Sequence, residues 1–255
     1  MDAADSFSRE NGLNTNLKSE ECYYLGLALY QGLFGERNYA EAAKWFGMVE
    51  DYDKYQWRRE SVWTEMFRSA QYYLGFMYYY GQGVTQDYDS AIKCFRRATP
   101  SDISNNGYGY NEQAICMLGI AYEEGNGVAQ DFATAAAWYR LAAGKADSND
   151  TTHYFSPGCA EAQNRLADAY RNGKGVENDP GNALFWYRKA AEQGHAAAQN
   201  SLADMYATGE GTEQDLGEAM KWCIKSAQQG NADAKNKLIK LINRIPVEGA
   251  NLLQP

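Results

Sequence analysis

Residues 166–187 read LADAYRNGKGVENDPGNALFWY, and the order of apolar, glycine and capping residues in them describes two helices joined by a tight turn. Ala162, Leu166 and Tyr170 are four apart and share one helical face. Asn172-Gly173-Lys174-Gly175 stops that helix, because glycine suits the left-handed backbone of a helix C-terminus. Asp179 and Pro180 start the next helix: Asp caps it and Pro fits its first turn. Ala183, Trp186, Tyr187 and Ala190 carry the second apolar face, and Gly194 ends it. Ala183 and Ala190 are small enough to let the two helices approach.

The same pattern, L-[GA]-x-x-Y-x-x-G-x-G-V-x-x-D-x-x-x-A-x-x-W-Y with a few slots changed, occurs five times, starting at Leu25, Leu74, Leu118, Leu166 and Leu202. Ala234 and Leu238 open a sixth unit that stops after one helix. The leucines are separated by 49, 44, 48, 36 and 36 residues, so the bare period is 36 and the first three intervals carry 13, 8 and 12 extra residues. The extra length follows the second helix of a unit, within Glu50–Glu65, Pro100–Asn111 and Lys145–Gly158. A unit this small cannot bury its own apolar face, so units must stack. The expected fold is all-α, a solenoid of five helix-turn-helix repeats near 21–49, 70–99, 114–144, 162–194 and 198–230, one continuous array closed by a capping helix near 234–244. Residues 1–19 are expected to form a tail or N-terminal cap, and residues 245–255 a loose tail.

Bulk composition narrows the function classes. With a net charge of −9 the chain repels phosphate backbones and anionic membrane surfaces, which argues against nucleic-acid binding, and it would steer a basic partner toward itself. No apolar run reaches membrane-spanning length, and the start Met-Asp-Ala-Ala-Asp is no leader. As printed, the chain reads as cytoplasmic; after removal of a leader it would be periplasmic. Its five cysteines, Cys22, Cys94, Cys116, Cys159 and Cys223, form no C-x-x-C pair and read as small buried hydrophobes. A Cys94–Cys116 disulfide between neighbouring helices stays open but is not implied.

The recurring slots resemble the Sel-one-like repeat family, relatives of the tetratricopeptide repeat, over residues 20–244. Repeats four and five follow the pattern most closely. Repeat one departs from it, with Leu29 in the Tyr slot, Phe34 in the second Gly slot and Asn38 for the Asp; repeat two has Cys94 for the Trp. The resemblance implies a bacterial protein, a right-handed superhelix whose first helices line the concave side, an adaptor or scaffold role, and no catalytic residues to carry over.

Helix geometry places a candidate binding surface. With the repeat leucine at zero, slots −4, 0 and +4 face inward, and at about 100° per residue slots −2, +2 and +5 fall on the opposite side. Those slots hold Tyr23, Leu27 and Tyr30 in repeat one, and Tyr72, Phe76 and Tyr79, with Tyr80 alongside, in repeat two. Repeat three has Cys116, Ile120 and Glu123; repeat four Asn164, Asp168 and Arg171; repeat five Asn200, Asp204 and Ala207. The N-terminal half of this groove is therefore aromatic, the usual chemistry of an interface anchor, and the C-terminal half polar and acidic. Either the aromatic stripe grips a protein partner, or residues 1–19 or the insertion with Tyr52, Tyr55, Trp57 and Trp63 fold over it.

The three insertions are a second candidate surface. Glu50–Glu65 should lengthen two helices, Pro100–Asn111 reads as a turn-rich loop, and the third carries His153, Tyr154, Phe155 and Pro157. The G-x-G elements join two helices and follow no strand, so they end helices rather than cradle phosphate. The two histidines, His153 and His195, have no ligand-spaced partners. No residue takes a catalytic, metal-binding or cofactor role. The functional expectation is a non-catalytic protein-binding solenoid. One form is an immunity protein that blocks a toxin or secreted effector; another is a scaffold of an envelope, secretion or signalling assembly. A hydrolase using groove carboxylates such as Asp168 and Asp204 is the reading from another class.

Overall fold

The computed structural model describes residues 19–49, 62–99, 111–144 and 158–244. The N-terminal cap, the C-terminal tail and the insertion readings at 50–61, 100–110 and 145–157 lie outside the described residues. Among the described residues are eleven α-helices and no strand. They are α1 (Ser19–Gln31), α2 (Tyr39–Gly47), α3 (Val62–Tyr80), α4 (Tyr88–Ala98), α5 (Glu112–Glu124), α6 (Phe132–Ala142), α7 (Ala160–Asn172), α8 (Pro180–Glu192), α9 (Ala196–Thr208), α10 (Leu216–Gln228) and α11 (Ala232–Ile242). Odd-numbered helices up to α9 are the first helices of the five repeats, and α11 is the lone sixth. The helix α3 begins well before the repeat boundary expected near residue 70, so residues ahead of that boundary extend it.

The fold is all-α and of the α/α solenoid class, and the chain divides into two compact units, Met1–Gln130 and Asp131–Pro255. In the first, hairpins α1/α2 and α3/α4 and helix α5 pack in series. Its core gathers Trp45, Phe46, Phe67, Leu74, Met77 and Cys94. In the second, α6, hairpins α7/α8 and α9/α10 and helix α11 follow one another around Tyr139, Leu166, Trp186, Tyr187, Leu202 and Met205, all buried.

Local chemistry sets the hairpins. The Asp slot caps every second helix where it is present: Asp87 accepts from the Ser90 N–H at 3.1 Å, Asp179 from Asn182 at 3.0 Å and Asp215 from Glu218 at 2.9 Å, and Asp131 caps α6. Those hydrogen bonds hold the Asp87, Asp131 and Asp179 carboxyls below the ordinary carboxylate range. In repeat one Asn38 does the same for Glu41. The second glycine of each G-x-G turn serves the stacking. Gly83 has φ +70°, and a Cβ there would lie 2.5 Å from the Ala40 nitrogen of the preceding hairpin; Gly211 meets Pro180 in the same way. In repeat one Phe34 stands in that slot, 73% exposed.

Two further ladders tie successive hairpins within a unit. Arg96 donates to the Tyr122 hydroxyl at 3.4 Å, Arg140 to Tyr170 at 2.9 Å and Arg188 to Tyr206 at 2.5 Å. Gln193 donates to buried Gln163 at 2.8 Å, and Gln229 to Gln199 at 2.9 Å. Cys22, Cys94, Cys116 and Cys223 are buried, and burial pushes the Cys94 thiol up to about 11.

Candidate functional site

In the first unit, the residues expected to line an open groove are mostly turned into contacts between helices. Tyr23 lies 6.3 Å from Phe46 and Tyr30 lies 5.0 Å from Tyr73, ring centre to ring centre, and both tyrosines and Leu27 pack against the core. Burial raises the pKa of both hydroxyls. Tyr79 is 3% exposed. Its ring packs on Tyr88 and Phe95 of α4, and its hydroxyl donates to Glu124 at 2.6 Å and accepts from Asn126 at 3.0 Å. Burial and the Glu124 carboxylate push its pKa far up. Cys116 and Ile120 of repeat three are also buried.

These placements correct the helical-wheel reading of an open groove. The wheel accounts for one partner helix, whereas a helix inside a stack is covered by the hairpins beside it as well. Among the partly exposed residues of α3, Tyr72, Phe76 and Tyr80 form a row: Tyr72 to Phe76 is 6.1 Å, Phe76 to Tyr80 is 4.5 Å, and Tyr80 is 49% exposed.

In the second unit, the same slots form a chain of polar contacts. Asn164 donates to Asp168 Oδ2 at 3.2 Å, and the Tyr187 hydroxyl donates to Asp168 Oδ1. Desolvation and the Asp168 charge raise the Tyr187 pKa. Arg171 reaches across to the next turn and holds Glu210 with both arms of its guanidinium, at 2.6–3.1 Å. One repeat further on, Lys237 of α11 donates to Asn200 Oδ1 at 3.0 Å and to Asp204 Oδ2 at 2.5 Å. The face expected to be acidic thus has Arg171 and Lys237 set against its carboxylates, and Asn164 is buried.

Sequence reasoning passed over Glu210, Lys237, Tyr187 and His195. Lys237 lies in the expected capping helix, and Tyr187 on the apolar face of the second helix of its repeat. His195 caps α9, accepting from the Ala198 N–H at Nδ1, and its Nε2 meets Glu161 at 2.9 Å. Together with Arg165, that contact pulls the Glu161 carboxyl down to about 2. The signal for Glu210 was in the spacing: the middle residue of each G-x-G turn has a fixed offset from the leucine of its repeat. Among the described residues no cluster of three or more His, Cys, Asp or Glu could hold a metal ion, and no helix is long and apolar enough to cross a membrane.

Comparison with known proteins agrees with this repeat architecture. A family profile described as Sel1 repeat matches residues 22–48, 68–99, 112–147, 160–195 and 196–231, more than half of the chain. No curated protein matches the sequence. Among solved structures, c5321, a protective antigen of uropathogenic Escherichia coli strains with an SLR fold, superposes with a TM-score of 0.65 at 30% identity over 88% of this chain. The chain spans only 41% of that antigen. A Sel1 repeat protein from Oxalobacter formigenes superposes with a TM-score of 0.67 at 27% identity, covering 91% of this chain and 80% of its own.

Proposed function

This chain belongs to the Sel1 repeat family, and we propose that it is a non-catalytic protein-binding solenoid whose docking face is carried by the first helices of its repeats. Sel1 repeat proteins generally mediate protein–protein interaction. The observation that carries the reading here is the half-exposed row Tyr72, Phe76 and Tyr80 on α3. Rigid rings with polar tips supply contact area at low entropic cost. Tyr79 packs beside Tyr80 of that row, ring centres 5.1 Å apart, while Tyr23, Leu27 and Tyr30 pack on the core of the same unit. Asn164, Asp168, Arg171, Asn200 and Asp204 give the second unit a hydrogen-bonding face of the same origin. The net charge of −9 favours a partner with a basic surface.

Engagement of the groove carboxylates supports binding over turnover: Asp204 is ion-paired with Lys237, and Asp168 takes the Tyr187 hydroxyl. The proposal covers two forms, a one-to-one inhibitor of a toxin or secreted effector and a scaffold of an envelope, secretion or signalling assembly. Light scattering of the purified complex separates them by stoichiometry. The test of the docking face is a pull-down from cells of the source organism with wild type and with Phe76→Ser/Tyr80→Ser. Retention of a specific protein by wild type, with at least about tenfold weaker retention by the variant, is the expected result. Equal retention by both removes the docking face.

A further inference from the structure

Two segments of the second unit are near-copies: Gln163-Asn164-Arg165-Leu166-Ala167-Asp168 and Gln199-Asn200-Ser201-Leu202-Ala203-Asp204. In each, the asparagine and the aspartate are four apart and sit on the same helical face. Their surroundings differ: Tyr187 and Arg171 stand beside the earlier copy where Cys223 and Ala207 occupy the same slots of the later one, and the later copy alone receives a lysine. In the later copy, the ammonium of Lys237 lies on Asn200 Oδ1 at 3.0 Å and on Asp204 Oδ2 at 2.5 Å. Lys237 is the residue just before the leucine of the following unit, and the residue in that place for the earlier copy is Ser201. No lysine is therefore supplied to Asn164. Its Nδ2 donates to Asp168, but its Oδ1 is buried without a hydrogen-bond partner, in a residue only 8% exposed. A buried carbonyl oxygen left without a donor costs stability, so its presence needs a reason.

We propose that Asn164 and Asp168 form a subsite for a primary ammonium group of the bound protein, the group that Lys237 supplies from within the chain one repeat later. The proposal rests on the protein-binding reading and gives that partner a chemistry. The ammonium donates to Asn164 Oδ1 and Asp168 Oδ2, while Tyr187 keeps its bond to Asp168 Oδ1 and fixes the carboxylate. Ser201, which hydrogen-bonds Tyr187, is short where the lysine stem runs in the later copy, so the approach is left to a ligand. Arg171 also faces Tyr187, and Glu210 draws its charge aside through a two-armed ion pair. The same ammonium can come from a lysine side chain or from a chain N-terminus.

The test uses the full chain with its asparagine carboxamides labelled with ¹⁵N. Three capped or uncapped peptides are titrated: Ac-Gly-Lys-Gly-NH₂, H-Gly-Gly-Gly-NH₂, and Ac-Gly-Nle-Gly-NH₂ as the neutral control. We expect a saturable shift of the Asn164 carboxamide with the lysine peptide or with the free N-terminus, which identifies the source, and none with norleucine. Ser201→Lys should abolish that shift by placing an ammonium there from within. Asp168→Asn, which leaves the size of the side chain unchanged, should weaken it about tenfold. No shift, an equal shift with norleucine, or a shift indifferent to both substitutions overturns the subsite. A protein partner that is lost with Phe76→Ser/Tyr80→Ser but held equally by Ser201→Lys overturns the subsite alone and leaves protein binding standing.

Discussion

The two units use the same slots for different interactions. At slot +5 of repeat two, Tyr79 reaches the next turn with a buried ring and a hydroxyl on Glu124 and Asn126; at slot +5 of repeat four, Arg171 reaches the next turn with an ion pair to Glu210. At slot +21, the first unit has Phe46 and Phe95, each fully buried over a glycine of the facing helix, Gly26 and Gly75. The second unit has Tyr187 and Cys223 there, with Ala167 and Ala203 on the facing helices. Backbone geometry is common to both, and the glue is not: the first unit is joined by aromatic area, the second by oriented polar groups. The difference teaches that the repeat constrains where a side chain points and leaves open how it pays for the contact.

The largest effect expected from this contrast comes from removing the slot +21 side chain. Phe95→Ala empties a fully buried ring site and should cost about 4 kcal/mol. Cys223→Ala removes one small group from an equally buried site and should cost about 1 kcal/mol. Urea unfolding of the two variants measures both, and equal losses would erase the distinction between the units. The facing slot gives the next effect. A Cβ at Gly75 would lie 2.7 Å from the Phe95 ring and 3.1 Å from Cys94, so Gly75→Ala should cost about 2 kcal/mol despite its better helix propensity. Ala203→Gly, where alanine is already accommodated, should cost about 1 kcal/mol.

Slot +5 sharpens the contrast through salt. Tyr79→Phe removes two hydrogen bonds of a buried hydroxyl and should cost about 1 kcal/mol, changing little with ionic strength. The Arg171–Glu210 pair is a quarter to a third exposed, with side chains at 26% and 30%, so Arg171→Met should cost about 0.5 kcal/mol in dilute buffer. That loss should fade in about 1 M salt, where screening reaches about 3 Å. Thermal melts at two salt concentrations read both, and a salt-sensitive Tyr79→Phe would break the assignment.

How far the sequence could be read follows from which contacts are local. Helix ends were legible, because Asp87, Asp179 and Asp215 cap within three residues and the glycines of the turns need a left-handed backbone. The burial of Tyr79 was not, because what covers it includes residues 45 and 47 positions away. The contacts of Lys237 were hidden for the same reason: its partners Asn200 and Asp204 lie one period back. A slot-by-slot comparison of the repeats would have exposed part of this. Tyr79–Asn126 and Arg171–Glu210 both join slot +5 of one unit to the middle of the next G-x-G turn, and Asn164/Asp168 recurs as Asn200/Asp204.

Acid provides the smallest and most selective test of the polar joint in the second unit. The hydrogen bond from His195, and after it Arg165 against the opposing effect of burial, lowers the Glu161 carboxyl from its ordinary 4.5 to about 2. A group whose pKa is depressed on folding stabilises the folded state while ionised, so this contribution is whole above about pH 4.5 and is lost as pH falls toward 2. Glu161→Gln cannot titrate and lacks it at every pH. The gap in unfolding free energy between wild type and variant should therefore close steadily as pH falls from about 4.5 toward 2. The capping carboxylates Asp131 and Asp179 remain in both proteins and cancel from the difference. Urea unfolding at intervals from about pH 5 to 2 traces the gap. A gap that does not change across the window would mean that Glu161 does not join α7 to α9.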